Sequence, residues 1–148
     1  LHASRLILEV TETAAMSDPT VTGPILEELR GHGVRFSLDD FGTGYSSLAH
    51  LTRIRFDQLK LDRGFVAGIA DAGVDAIVAQ SIIALGSSLG VPVLAEGVET
   101  AEQVKLLRDL NCEQGQGYLF GRPMSSDDSR SFLRRLRGQG FVVENALD

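Results

Sequence analysis

A chain of 148 residues, 43% hydrophobic and 23% charged, is long enough for one domain with a real core and has the make-up of a globular protein. Its net charge of −6 argues against gripping nucleic acid by bulk attraction, but not against a small phosphate ligand, because a metal ion can reverse the local sign. The single cysteine, Cys112, excludes an internal disulfide and reads as a small buried hydrophobe in a reducing compartment.

The chain opens "LHASRLILEV", with no signal peptide and no initiator methionine, so it reads as a piece of something longer. Residues 5–12 (RLILEVTE) read as a buried strand, followed by a helical stretch from about Pro19 to His32. Residues 34–39 (VRFSLD) are the next strand. A glycine turn follows, and then a short helix over 46–53. Residues 56–62 (FDQLKLD) form a third strand. Ile77, Val78, Ile82 and Leu85 give 75–89 a helical period. A fourth strand (91–96), a helix (100–110), a short fifth strand (GYLF, 117–120) and a last helix (125–137) complete the series. The serine and aspartate start of that last helix suits an N-cap. Residues 1–137 are expected to be one unit and 138–148 a tail. No apolar run reaches the roughly 18 residues of a membrane span. His2, His32 and His50 have no zinc-ligand spacing.

Alternating strands and helices mean parallel strands with crossover helices. An open doubly wound sheet and a (β/α)8 barrel both fit. In an open sheet the ligand site gathers at one switch point. Here every strand ends in polar groups: Glu9 and Glu12, Asp39 and Asp40, Lys60 and Asp62, Glu96 and Glu99, and Gln116 at the fifth. That is the habit of a barrel, whose C-terminal rim carries the chemistry. A barrel takes about 250 residues, so the chain is expected to cover its last five βα units.

Six carboxylates facing one mouth beside one lysine would be costly without cations. Oxygen donors with no cysteine or histidine select Mg²⁺ or Mn²⁺. Adjacent strand residues point in opposite directions. Asp39 and Asp40 are therefore expected to serve two neighbouring ions where the strand ends, with Gly42 and Gly44 permitting the turn. Two-metal sites of this kind cleave phosphodiesters. Lys60 would contact the phosphate or the attacking water. The bland alternatives are a helix-capping Asp39, an exposed edge-strand Lys60, loop-anchoring roles for Glu12 and Glu99, and an Asp62 that caps a turn or pairs with Arg63.

The segments ILEVTET, FSLDDFGTGYSSL, FDQLKLDRGFV, VLAEGVET and CEQGQGYLFGRP together resemble the EAL domain, the bacterial cyclic-di-GMP phosphodiesterase, from about residue 5 to residue 124. The resemblance implies a modified (β/α)8 barrel that hydrolyses cyclic di-GMP to linear pGpG with Mg²⁺ or Mn²⁺. It implies metal ligands at Glu9, Asp39, Asp40 and Glu96, with Glu96 also a general base and Lys60 beside the nucleophilic water. Glu12 and Glu99 would support, and Gly42, Gly44 and Ser46 would form the loop near the family's dimer interface. Gln116, Arg122 and Pro123 would meet substrate. It further implies a cytoplasmic homodimer, an upstream sensory or diguanylate cyclase domain in the parent protein, and no contact with DNA or membrane from this segment. Arg55 departs from the family's usual proline. The E-A-L strand and the strand bearing the family's asparagine ligand would precede Leu1, so this segment alone is expected to be inactive. A non-catalytic module that binds cyclic di-GMP or a protein partner is the alternative reading.

Overall fold

The structure, a computed structural model, describes residues 2–42, 54–71 and 73–139. After a 3-10 turn at Ala3–Arg5 come β1 (Ile7–Thr11), α1 (Glu12–Ser17), α2 (Pro19–Gly31) and β2 (Arg35–Phe41). Then follow β3 (Gln58–Leu61), α3 (Arg63–Ala67), α4 (Val74–Leu89), β4 (Val93–Glu96), α5 (Ala101–Asp109), β5 (Gln114–Gln116) and α6 (Ser126–Gln139). The expected helix over 46–53, with Gly44 and Ser46, lies outside the described residues.

The five strands form one sheet in the order β1-β2-β3-β4-β5, every pair parallel. A doubly wound sheet reverses its order at a switch point. This sheet runs steadily in one direction, as consecutive βα units of a (β/α)8 barrel do. The fold is therefore α/β, a five-strand part of a TIM-like barrel.

Strand alternation gives the sheet two unlike faces. Phe36, Leu38, Leu59, Leu61, Val93 and Ala95 share the face covered by helices, and all are buried. Complete burial of such a side chain contributes roughly 1.5–3 kcal/mol. In α4, Gly86 lets the helix close on β4, since a Cβ there would collide with Val93 Cγ2 and lie 2.8 Å from the Val91 carbonyl oxygen. Cys112 belongs to this core, as expected. Burial pushes its thiol pKa up, and its Sγ lies 3.4 Å from the Val93 carbonyl oxygen.

Three expectations are corrected. Residues 117–120 are a turn, not a strand. Gly117 packs its backbone so closely on Val98 that a side chain would strike the Val98 amide and carbonyl. Leu119 N–H then donates to Val98 O and Phe120 N–H to Gly117 O, which bends the chain away. The fifth strand is instead Gln114–Gln116, which has no apolar alternation to announce it. Residue 12 leaves β1 and opens α1, with Thr11 Oγ1 accepting the Ala14 N–H at 3.3 Å. Finally, β2 does not end at Asp39 but continues to Phe41. The last helix begins as expected, with Ser125 Oγ accepting the Asp128 N–H, and runs past 137 to Gln139. Among the described residues no helix is long and apolar enough to cross a membrane.

Candidate active site

The other face of the sheet carries a polar side chain from each strand, from mid-strand on β1 to the last residue on β4 and β5. Glu9 stands on β1, Asp39 on β2, Lys60 on β3, Glu96 on β4 and Gln116 on β5. Lys60 Nζ lies 2.9 Å from Glu9 Oε2, 3.0 Å from Asp39 Oδ1 and 2.9 Å from Glu96 Oε1. Gln116 Nε2 donates to the same Glu96 oxygen at 2.8 Å. A continuous polar row thus crosses all five strands.

Lys60 is no edge lysine. It sits on the central strand with its side chain 6% exposed. Burial pulls its pKa down, but hydrogen bonds to Glu96, Glu9 and Asp39 outweigh that and hold it above the ordinary lysine value. Three carboxylates against one ammonium leave negative charge in excess. Among the described residues no group of three or more acidic, histidine or cysteine side chains is arranged to hold an ion as it stands, because the three carboxylates meet at the ammonium instead. The donor set nevertheless fits a hard divalent cation: it is all oxygen, anionic in excess and already converged on a positive charge.

A bulge interrupts β2 at the neighbouring aspartates. Leu38 pairs with Leu59 and Phe41 with Leu61, so β2 spends an extra residue over this step. Asp40 takes it up in the left-handed region, at φ 56°, and Gly42 follows at φ 92°. Asp39 keeps its place on the polar face, and Phe41 returns to the core at 4% exposure. The Asp40 N–H donates to Asp39 Oδ1 at 3.1 Å. The irregularity expected at the strand's end thus lies within the strand, at Asp40. At Gly42 a Cβ would come within 2.8 Å of Ile82 Cδ1, a side-chain end that can yield, so it is the positive φ that asks for glycine.

Among the supporting residues, Glu12 is buried to 9% exposure, and its Oε2 has no hydrogen-bond partner among the described residues. Asp62 caps α3 by accepting the Gly64 N–H at 2.8 Å, and no ion pair with Arg63 forms. Glu99 is held through its backbone. Its N–H donates to Gln103 Oε1 at 2.8 Å, while Gln103 and Thr100 cap α5 reciprocally. A cleft of about 600 Å³ beside the row is lined by Arg63, Glu99, Gln116, Tyr118, Arg122 and Pro123. The Arg122 guanidinium stacks 4.5 Å from the Tyr118 ring centroid. A second cleft, of about 570 Å³ and lined by Val104, Leu107 and Cys112, contains none of the row's residues.

Sequence reasoning missed a second polar layer. Ser37, Gln58 and Gln114 stand two positions before Asp39, Lys60 and Gln116, so they share their face. Ser37 Oγ donates to Gln58 Oε1 at 3.1 Å, and Gln58 Nε2 to Gln114 Oε1 at 2.7 Å. The signal was present: a polar residue at i−2 on three strands that otherwise alternate with core leucine, phenylalanine or glycine.

Comparison with known proteins gives these features a context. The family model described as EAL domain matches residues 1–123. Cyclic di-GMP phosphodiesterase NbdA of Pseudomonas aeruginosa is 50% identical over 137 residues, covering 93% of this chain and 18% of that protein. The bifunctional diguanylate cyclase/cyclic di-GMP phosphodiesterase MucR of the same organism is 49% identical over 127 residues, covering 86% of this chain and 18% of that protein. The solved PaMucR phosphodiesterase in complex with c-di-GMP superposes with a TM-score of 0.82 at 48% identity, covering 87% of this chain and 52% of that one. Klebsiella pneumoniae BlrP1, solved with manganese and cyclic di-GMP, gives a TM-score of 0.76 at 36% identity, covering 83% of this chain and 31% of that one. The chain thus spans about a fifth of the length of the curated relatives it matches. It belongs to the EAL domain family.

Proposed function

We propose that this chain forms part of a metal-dependent phosphodiesterase domain that hydrolyses cyclic di-GMP to linear pGpG. The observation that carries the reading is the row Glu9–Asp39–Lys60–Glu96–Gln116, in which one ammonium gathers carboxylates from three strands. The relatives' activity and ligands support it.

Glu9, Asp39, Asp40 and Glu96 would hold Mg²⁺ or Mn²⁺, as two ions. Bound there, divalent ions supply neutralisation of phosphate charge and a water acidic enough to ionise near neutral pH. Lys60 keeps its proton and orients the carboxylates, and an N–H released when a carboxylate turns to a metal would go to a phosphate oxygen. Glu96, with one oxygen fixed by Lys60 and Gln116, takes the proton of the water that attacks phosphorus. The ribose oxygen opposite leaves and takes up a proton from solvent, which opens the ring. Glu12 and the Gly42 turn support Asp39 and Asp40, and Glu99 supports the loop after β4. The cleft lined by Gln116, Arg122 and Pro123 takes part of the nucleotide. The parent protein works as a cytoplasmic homodimer with a sensory or cyclase domain attached.

The test uses the protein that carries this chain. It is stripped with a chelator, supplied with Mg²⁺ or Mn²⁺, and incubated with cyclic di-GMP. Metal-restored formation of pGpG supports the reading. Cyclic di-GMP bound tightly but left intact in every metal would favour a binding module and overturn it.

A further inference from the structure

We propose that Gln58 and Gln114 are positioning residues: their hydrogen bond, spanning from β3 to β5 beneath the rim, sets the approach of Lys60 and Gln116 to Glu96. The proposal rests on the phosphodiesterase reading of that row.

The register places Lys60 level with Leu94, and Leu94 level with Gln114. Leu94 is the β4 residue on this face, and its side chain offers no polar atom. The bond of 2.7 Å from Gln58 Nε2 to Gln114 Oε1 therefore runs past β4 and joins two strands that share no backbone ladder. Side chains from alternate strands meet in this way inside a barrel, where bulky aliphatic residues usually fill the layer. A polar pair in that place is directional, whereas an aliphatic pair would be free to slide.

The pair is anchored at its β2 end. Ser37 is fully buried and hydrogen-bonded to Gln58 at 3.1 Å. The anchored end matters because a backbone ladder fixes how far β5 slides along β4 but not the rotamers of the side chains standing on it. The bond from β3 fixes that layer directly beneath the row. Two residues further on, the same strands present Lys60 and Gln116, and both must meet one oxygen of Glu96 at 2.8–2.9 Å. A small displacement of either side chain would break that convergence without unfolding anything. Misplacement of reacting groups by about 1 Å can cost on the order of 10²-fold in rate.

The test is Gln58→Met, Gln114→Met and the double variant in the protein that carries this chain, assayed for cyclic di-GMP hydrolysis with Mn²⁺. Methionine is close to glutamine in length and volume, so neither replacement opens a cavity. The expected result is a kcat lower by about ten- to a hundredfold in each single variant, with KM within about twofold. The thermal midpoint of Gln114→Met should stay close to wild type, whereas that of Gln58→Met should fall, because buried Ser37 Oγ loses its acceptor. The double variant should be no worse than the weaker single one, because both lose the same bond. Unchanged kcat in Gln114→Met, losses that multiply in the double variant, or a fall in the kcat of Gln114→Met that only follows a fall in its melting temperature would each overturn the positioning role. An inactive wild type would instead overturn the phosphodiesterase reading, and this proposal with it.

Discussion

Lys60 Nζ on β3 reaches Glu9 Oε2 on β1 at 2.9 Å, across the full width of β2. Strands lie about 4.8 Å apart, so only two long side chains leaning toward each other can close that gap. Lys60 thereby holds carboxylates from β1, β2 and β4 at one point and offsets part of their mutual repulsion.

Replacing Lys60 with methionine should therefore leave three acidic groups converging on nothing. The variant should melt below wild type in the absence of metal. Lys60 has a raised pKa in the folded state, so its contribution is present in full below the ordinary lysine value of about 10.4. It is lost as pH rises through the folded value. The stability gap between wild type and Lys60→Met should stay level from pH 7 to 9 and shrink above about pH 10. Thermal unfolding across that range checks it. A gap that widened in alkali would show that the ammonium does not stabilise the cluster.

Asp39→Asn and Glu96→Gln should each lower hydrolysis by about 10²- to 10⁴-fold while leaving the protein folded. Both residues are partly exposed on the polar face, at 22% and 19%, so neither change opens a core cavity. Steady-state rates at low metal, with circular dichroism beside them, decide it. Near-normal turnover in either variant would remove that residue from the chemistry.

Much of this was legible in the sequence. The alternation of strands and helices and the polar groups at every strand end pointed to the barrel and to all five residues of the row, although the fifth strand itself was placed at 117–120. Two features were not. Gln114–Gln116 is a strand because it pairs with Leu94 to Glu96, a tertiary match that no period in "EQGQG" discloses. The apolar "GYLF" drew the strand assignment to itself, although Gly117 is there for its close backbone contact with Val98. The second feature is the bulge at Asp39 and Asp40. Two adjacent charges after an apolar run suggested an ended strand, but Phe41 re-enters the core and pulls the strand onward.

Gly117→Ala should destabilise the protein by roughly 1–3 kcal/mol or more, since the added methyl must displace the Val98 backbone. Because Val98 N–H donates to Gln116 O at 3.0 Å, the same shift should loosen Gln116 from Glu96 and reduce activity. Denaturant unfolding and the hydrolysis assay read the two effects. An alanine variant as stable as wild type would contradict the close packing.

Ca²⁺ should inhibit when added to the Mg²⁺- or Mn²⁺-loaded protein. It is larger and takes looser oxygen coordination, so it would misplace the attacking water. Rates measured against rising Ca²⁺ at fixed Mg²⁺ should fall. Full activity with Ca²⁺ as the only divalent ion would contradict the geometry required of the site.

In the proposed reaction, water activated beside Glu96 and Lys60 attacks phosphorus in cyclic di-GMP. The most direct test is to run the reaction in ¹⁸O-labelled water with Mn²⁺ and weigh the product. The expected product is linear pGpG carrying one ¹⁸O on its terminal phosphate. Cyclic di-GMP recovered intact from the metal-loaded protein, or a product without the label, would contradict it.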